Sequence, residues 1–317
     1  MAVLAAFVAG ADGAETLPVP RQKAAAAQVS SAVEAEYEKL VEKDEAALEQ
    51  VEKMVKEFDQ FAEKGAAGSR GALLVKIDTL IDGVKKSYEG FLERNPKHVD
   101  GRLAYGSFLN EIGEENEALE QWEKARTLDP KNPSPWNNMA NIFGHRGPVK
   151  KAFQYYEKAI ELDPKEPVYL QNLATTVYLY RKDAVETYRI DEEQVFNKSL
   201  DLYRQAMKLD PTNLVLATDY AQSYYGIKPL RAEEALAAWN QCLSVAKNDV
   251  EKQGVYLHLA RVAWMAGKLD EAQKHLDQVN LPDMQELKSR VQRNIKKKRT
   301  ESVGTNSDDE VELTKKE

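Results

Sequence analysis

The side chains best suited to specific contacts in this sequence are amides and tyrosines rather than catalytic groups. A catalytic or metal site needs a nucleophile, a base or a set of ligands at workable spacing. The histidines, His98, His145, His258 and His275, are scattered, and the sequence has no HExxH, CxxC, P-loop or GxGxxG motif. We therefore expect no enzyme activity, no metal and no cofactor.

Eight polar side chains are candidates for binding a protein or peptide segment. An amide donates and accepts hydrogen bonds at the same time, which suits the backbone of an extended or helical peptide. The candidates are Asn137, Asn138, Asn141, Gln171, Asn172, Tyr178, Gln222 and Tyr225. We predict that they line a peptide-binding groove on the exposed side of their helices. The alternative is that these amides only keep an exposed surface soluble.

The elements that position these residues repeat with a fixed period. Asp-Pro recurs at 129–130 and 163–164, so residues 99–132 and 133–166 are two copies of one 34-residue unit. The copies match at their packing positions: Gly106 with Ala140, Leu109 with Phe143, Gly113 with Gly147, Ala118 with Ala152, Trp122 with Tyr156 and Ala125 with Ala159. Small residues let two helices approach closely, and large aromatic residues fill the space between units.

The ends of these helices are also visible in the sequence. Gly113 and Gly147 fall where the first helix must stop and reverse, a position that favours positive φ. Pro130 and Pro164 end the second helix, because proline lacks an amide donor and disfavours helix in the residue before it. Each unit is therefore predicted to be a helix, a turn and a second helix.

This pattern resembles the tetratricopeptide repeat, including Trp136 in the second unit. The resemblance implies an all-α fold, a right-handed superhelical solenoid of antiparallel helix pairs. The first helix of each pair would then line a concave surface. The resemblance also implies a scaffold that binds a protein or peptide partner in that groove.

The repeat pattern continues on both sides and fills residues 71–284. Residues 71–98 are predicted to be a degenerate amino-terminal repeat, with Val84, Tyr88 and Phe91 at second-helix packing positions. Three further repeats are predicted at residues 167–213, 214–252 and 253–284. Atypical terminal repeats are expected to cap such a stack.

The repeat at 167–213 carries an insertion at residues 181–198. Its apolar side chains are too many for a floppy loop: Tyr188, Ile190, Val195 and Phe196. Insertions map to one face of a solenoid and often carry binding; the alternative is a lengthened hairpin that covers the stack. Within the insertion, Asp-Ala-x-Glu-x-Tyr at 183–188 resembles bacterial repeat proteins of unassigned role.

The amino-terminal part of the chain holds two further segments. Residues 1–29 begin with an apolar run and then Ala9-Gly10-Ala11, which is typical of a secretory signal peptide. We therefore predict a flexible terminus and a periplasmic or secreted protein, with the cytoplasm as the alternative. Residues 30–64 are predicted to be one long amphipathic helix that packs on the protein's own core. Self-association through this helix is the alternative. No segment approaches the ~20 apolar residues of a transmembrane span.

The carboxyl-terminal part of the chain is charged. Residues 285–299 are predicted to be a basic helix that caps the stack, and residues 300–317 a disordered tail with almost no apolar residues. The net charge of −8 argues against a nucleic-acid partner. The single cysteine, Cys242, excludes an internal disulfide and falls at a small packing position.

Two hypotheses of function follow. The first is a bacterial scaffold, not an enzyme, that binds a protein segment in the groove formed by the first helices. The alternative is a structural subunit of a bacterial envelope assembly. That subunit would use the 30–64 helix and the 181–198 insertion as contact surfaces.

Overall fold

The structure, a computed structural model, describes residues 31–63 and 69–313, and their side chains as far as residue 301. Every regular element within these ranges is helical. The chain divides into two compact units, Met1–Thr176 and Val177–Glu317. The predicted signal-like segment, residues 1–29, lies outside the described residues. None of the described helices is both long and apolar enough to cross a membrane.

Seven helices begin in the described part of the first unit, and the division falls within the seventh. They are α1 (Ser31–Glu63), α2 (Arg70–Arg94), α3 (Val99–Glu111), α4 (Glu115–Leu128), α5 (Ser134–Arg146), α6 (Val149–Leu162) and α7 (Pro167–Leu179). Helix α1 packs on α2, α3 on α4, and α5 on α6. The two most regular predicted repeats, 99–132 and 133–166, are therefore the pairs α3–α4 and α5–α6.

The repeat core follows the predicted pattern of small and large residues. Trp122 and Tyr156 are buried, and the alanines around them are inaccessible to solvent. A β-carbon at Gly106 would clash with the indole of Trp122, so only glycine lets the two helices of this pair approach so closely. The first helices end as predicted, because Gly113 has a φ of 82° and Gly147 a φ of 74°.

The amino-terminal segments form one helix pair rather than a separate helix and a repeat. Residues 71–98 contain the single helix α2, and α1 provides its partner. Gly83, near the middle of α2, does not end the helix, since a glycine inside a helix costs only ~1 kcal/mol relative to alanine. The prediction of a degenerate repeat at 71–98 is therefore corrected. The helix that pairs with α2 is α1, which lies upstream of residue 71.

Helix α1 packs through its apolar stripe, as predicted for residues 30–64. Leu40, Ala47 and Val51 are buried in the core of the first unit. Asp44, in the middle of the stripe, is also buried, and its Oδ2 accepts a 2.6 Å hydrogen bond from the hydroxyl of Tyr88. One carboxylate oxygen of the polar residue in the stripe is therefore hydrogen-bonded within the chain.

Seven helices follow in the second unit as far as residue 313, where the described chain ends. They are α8 (Arg181–Tyr188), α9 (Glu192–Leu209), α10 (Leu214–Ser223), α11 (Ala232–Val245), α12 (Asp249–Met265), α13 (Leu269–Asp277) and α14 (Gln285–Leu313), with short 3-10 turns at Tyr224–Gly226 and Pro282–Met284. Helix α10 packs on α11, and α12 packs on both α11 and α13. The predicted repeats at 214–252 and 253–284 therefore correspond to helix pairs.

The insertion at 181–198 forms helix α8 and the first turns of α9. Arg189 ends α8 in the left-handed conformation with a φ of 54°, and Asp191 opens α9 with a reciprocal capping box to Gln194. Val195 and Phe196 are buried. The insertion therefore lengthens the second helix of its repeat and adds to the core, as in the lengthened-hairpin alternative.

The terminal helix is longer than its sequence predicts. Helix α14 continues to Leu313, whereas we predicted that helix would end near residue 299 and that residues 300–317 would be disordered. Extending a helix that already exists needs no new nucleus, so residues of modest propensity can follow it. Ile295 is buried, and Lys298 Nζ donates to the carbonyls of Trp264 and Met265, which end α12. Residues 314–317 lie outside the described chain.

Candidate functional site

The eight predicted groove residues fall in both units, and each unit is considered by itself. The first unit holds Asn137, Asn138, Asn141, Gln171 and Asn172; the second holds Tyr178, Gln222 and Tyr225. The two groups differ in whether their polar atoms face solvent or one another.

In the first unit, most of the predicted amides are buried rather than exposed. Asn137 is 0% exposed, Asn172 1% and Gln171 3%. Asn172 Nδ2 donates to Asn137 Oδ1 at 3.0 Å and, more weakly, to Asn141 Oδ1 at 3.5 Å. We call Asn137, Asn141 and Asn172 the amide ladder. Asn137 and Asn172 do not lie on an exposed groove as predicted, because they are buried and bond to each other, whereas Asn141 is half-buried.

The amide ladder continues into the repeat core. Tyr156, the buried aromatic residue of its repeat, donates its hydroxyl to Asn141 Oδ1 at 2.7 Å. Asn138 is half-buried, and its Oδ1 accepts from Asn137 Nδ2 at 3.3 Å. A buried polar group is costly unless it is hydrogen-bonded, so these amides fix the register of α5 against α7. These hydrogen bonds join the amides to other residues of the same unit.

In the second unit, Tyr178 is half-buried and held by its neighbours. Its hydroxyl lies against Gly226, where a β-carbon would clash with it. Burial raises the pKa of Tyr178, and the charge of Arg181 opposes that shift. The Arg181 guanidinium lies 5.7 Å from the Tyr178 ring and donates to the Tyr178 carbonyl at 3.1 Å. Gln222, at the end of α10, is exposed.

Tyr225 belongs to a stack of four side chains, which we call the Arg261 stack: Trp239, His258, Tyr225 and Arg261. The rings of Trp239 and His258 are parallel within 4°, with centroids 4.0 Å apart. The hydroxyl of Tyr225 and Nδ1 of His258 are hydrogen-bonded at 3.0 Å. The Arg261 guanidinium carbon lies 4.4 Å from the centre of the Tyr225 ring, within cation–π distance.

The charge of this stack is concentrated in Arg261. Burial, helped by the positive charge of Arg261, lowers the pKa of His258 to about 4, so the imidazole is neutral at pH 7. Burial raises the pKa of Tyr225, against the effect of Arg261. Trp239 is buried, whereas Arg261 is exposed. Among the described residues, Arg261 has no carboxylate within 4.0 Å.

The family model for the tetratricopeptide repeat matches residues 133–166. Residues 133–166 are a tetratricopeptide repeat. Trp136, Ala140 and Tyr156 of this repeat are among the residues that carry the resemblance. None of the curated proteins compared with the chain matches it.

Solved structures of other proteins align with this chain. The C-terminal part of a tetratricopeptide repeat protein from Cytophaga hutchinsonii aligns with a TM-score of 0.51 at 15% identity, over 77% of this chain and 92% of that one. The peptide-binding tetratricopeptide repeat protein YrrB aligns with a TM-score of 0.49 at 14% identity, over 66% and 99% of the two chains. PilF from Pseudomonas aeruginosa gives 0.48 at 15%, over 74% and 91%. The predicted all-α fold of antiparallel helix pairs is confirmed by the first of these. Repeat stacks of this kind use their extended surfaces to bind proteins or peptides.

The residues that sequence reasoning missed in this tetratricopeptide repeat fold are Gly254, His258 and Arg261 of α12. They are spaced by four and three residues, which places them on one face of the helix. A β-carbon on Gly254 would meet no atom within 4 Å, so this face is open above the glycine. The sequence signal that could have identified these three residues is the G-x-x-x-H-x-x-R spacing on the first helix of a repeat.

Metal and thiol chemistry find no support in the described part of the chain. No group of three or more His, Cys, Asp or Glu side chains within it lies close enough to hold a metal ion. Cys242 is buried, and burial raises its pKa to about 11. The thiol is therefore protonated at neutral pH, in agreement with the structural role predicted for it.

Proposed function

We propose that this protein is a non-catalytic scaffold that binds a segment of a partner protein on the second unit. The binding surface, which we call the α12 face, consists of Gly254, His258 and Arg261 with Tyr225, which contacts His258 and Arg261, and Gln222, three residues before Tyr225. The observation that carries the proposal is the Arg261 stack. It holds a charged side chain in a fixed place on a first helix, exposed and without a carboxylate partner among the described residues.

The composition of the α12 face suits a polypeptide partner. Tyrosine and arginine are enriched at the energetic centres of protein interfaces, because each offers both apolar area and hydrogen bonds. Gln222 adds an exposed amide that can pair with a peptide backbone. Gly254 leaves open space one helical turn from His258, so a backbone can approach α12 closely there.

The groove residues of the first unit are not included in this proposal. Asn137 and Asn172 are buried and bonded to each other, so a ligand could reach them only by breaking the amide ladder. Tyr178, in the second unit, is not part of the α12 face, and its hydroxyl already contacts Gly226. The proposal thus moves the binding site from the predicted groove to the α12 face.

Site-specific photo-crosslinking tests this proposal. A benzophenone amino acid placed at Gln222, on the α12 face, is compared with one at Ala237, which is exposed on the second helix α11. Both variants are expressed in cells of the source organism and irradiated, and adducts are identified by mass spectrometry. We expect a discrete protein adduct from position 222 and none from 237. Equal adducts from both positions, or an adduct from 237 alone, would place binding elsewhere.

No observation favours the alternative of an envelope subunit. Part of the apolar side chains of its two proposed contact surfaces lies in the core, because Val51 of α1 and Val195 and Phe196 of the insertion are buried. Export to the periplasm remains a prediction from residues 1–29. The mass of the mature amino terminus tests it, and an intact Met1 would contradict export.

A further inference from the structure

Arg261 has the properties of a preformed recognition group for a carboxylate. A guanidinium has five N–H donors and no acceptor, and its planar fork matches the two oxygens of a carboxylate. Arg261 lies over the Tyr225 ring, on an exposed part of α12, with no carboxylate of the described chain beside it. Among the described side chains, four of the eight arginines of this unit already pair with a carboxylate, as Arg181 does with Glu192 and Arg231 with Glu193.

The Arg261 stack fixes the direction in which this charge points. Trp239 is buried in the core, and its ring stacks on the ring of His258 with the two centroids 4.0 Å apart. His258 in turn holds the hydroxyl of Tyr225, and Tyr225 supports Arg261. Because the platform is already ordered, less conformational freedom is lost when the guanidinium binds than for a mobile surface arginine.

We propose that Arg261 binds the side-chain carboxylate of an Asp or Glu within the partner segment. This inference rests on the proposed function, since it names the chemistry that the α12 face recognises. A polyanion such as nucleic acid would need several aligned cations, and the chain carries a net charge of −8. The open space above Gly254 lets the segment continue past the site, so an internal acidic residue fits better than a chain end.

Arginine side-chain NMR of the full chain tests the inference. The probe is N-acetyl-glutamate N-methylamide, and its glutamine counterpart is the neutral control. The Nε–H signal of Arg261 is followed beside that of Arg293, which is exposed on α14 and has no ring platform among the described residues. We expect an apparent Kd at least threefold lower at Arg261 than at Arg293, and no response of either signal to the neutral probe. Equal Kd values, or an equal response of Arg261 to both probes, would overturn the inference.

Two variants at Tyr225 test whether the platform is responsible. Tyr225→Ala removes the ring, and the Kd at Arg261 should rise to that at Arg293. Tyr225→Phe keeps the ring but loses the hydroxyl bond to His258, so its Kd should lie between those of the wild type and Tyr225→Ala. An unchanged Kd in Tyr225→Ala, with the Arg293 signal and the melting temperature preserved, would overturn the role of the stack.

The outcome separates this inference from the proposed function. Crosslinks from position 222 together with equal Kd values at Arg261 and Arg293 would retain the segment-binding proposal and reject the acidic residue. A lower Kd at Arg261 without crosslinks would retain the carboxylate site and reject the protein segment.

Discussion

The first helices of the two units use their polar residues in opposite ways. In the first unit, Asn137 and Asn172 point at each other and are buried, whereas in the second unit Arg261 lies over Tyr225 and is exposed. The difference follows from the chemistry of the groups. An amide satisfies another amide, but a guanidinium only donates and is costly to bury without an anion. Amides on a repeat surface are therefore weaker indicators of binding than a stacked arginine.

The largest effect should come from the repeat core, which the two units build in the same way. Trp122→Ala removes a buried indole between helices of the first unit and should lower the free energy of unfolding by ~3 to 5 kcal/mol. Urea denaturation followed by circular dichroism measures the change. Trp239→Ala is the matched variant of the second unit. A near-neutral Trp122→Ala would mean that the repeat register is wrong.

Acid should destabilise the second unit through His258. The pKa of His258 is about 4 in the folded chain and 6.5 when unfolded, so between these values the unfolded chain binds a proton that the folded chain does not. Stability is therefore complete above about pH 6.5 and falls by about 3 kcal/mol as the pH approaches 4. Urea denaturation at pH 7 and pH 4.5 measures the loss.

The control for this pH dependence is His258→Asn, in which the loss between pH 7 and pH 4.5 should be clearly smaller. His98 in the first unit has a pKa that burial also lowers, despite Asp100 and Glu34. His98→Asn keeps an N-cap for α3 and should remove a separate part of the dependence of the unfolding free energy on pH. An identical slope in the wild type and His258→Asn would contradict the neutral imidazole in the stack.

The amide ladder should respond to mutation as structure rather than as a binding surface. Asn172→Ala leaves Asn137 Oδ1 without its donor and should cost ~2 kcal/mol of unfolding free energy. The matched amide on the α12 face is Gln222, which is exposed, and Gln222→Ala should change stability by less than ~0.5 kcal/mol. Thermal melting of both variants measures the two changes in stability. Equally small changes in stability for both variants would contradict a stabilising role for the amide ladder.

The sequence predicted those parts of the fold that depend on residues close together in the chain. Gly113, Trp122 and Tyr156 reveal turns and packing positions, because helix ends and helix pairs are local structures. The pairing of α1 with α2 was missed, since the partner of α2 lies upstream of the repeat boundary. For the insertion, the apolar residues of the sequence predict order, but only the tertiary structure shows that Val195 is buried.

The candidate site was less predictable than the fold. A helical period shows which residues share a face, but not which face meets the next first helix. Asn137 was therefore placed on the surface, although it packs against Asn172. The Arg261 stack joins a 3-10 turn, α11 and α12, and nothing in the spacing of Tyr225, Trp239 and His258 shows that they touch.

Loss of crosslinking in Arg261→Gln is the most direct test of the account. This substitution removes the charge at an exposed position, so the free energy of unfolding should change by less than ~0.5 kcal/mol. The measurement is the yield of partner adduct from a benzophenone amino acid at position 222, with and without Arg261→Gln. We predict at least a fivefold lower yield in the Arg261→Gln protein at an unchanged melting temperature. An undiminished yield from the folded variant would contradict the claim that the α12 face binds the partner through Arg261.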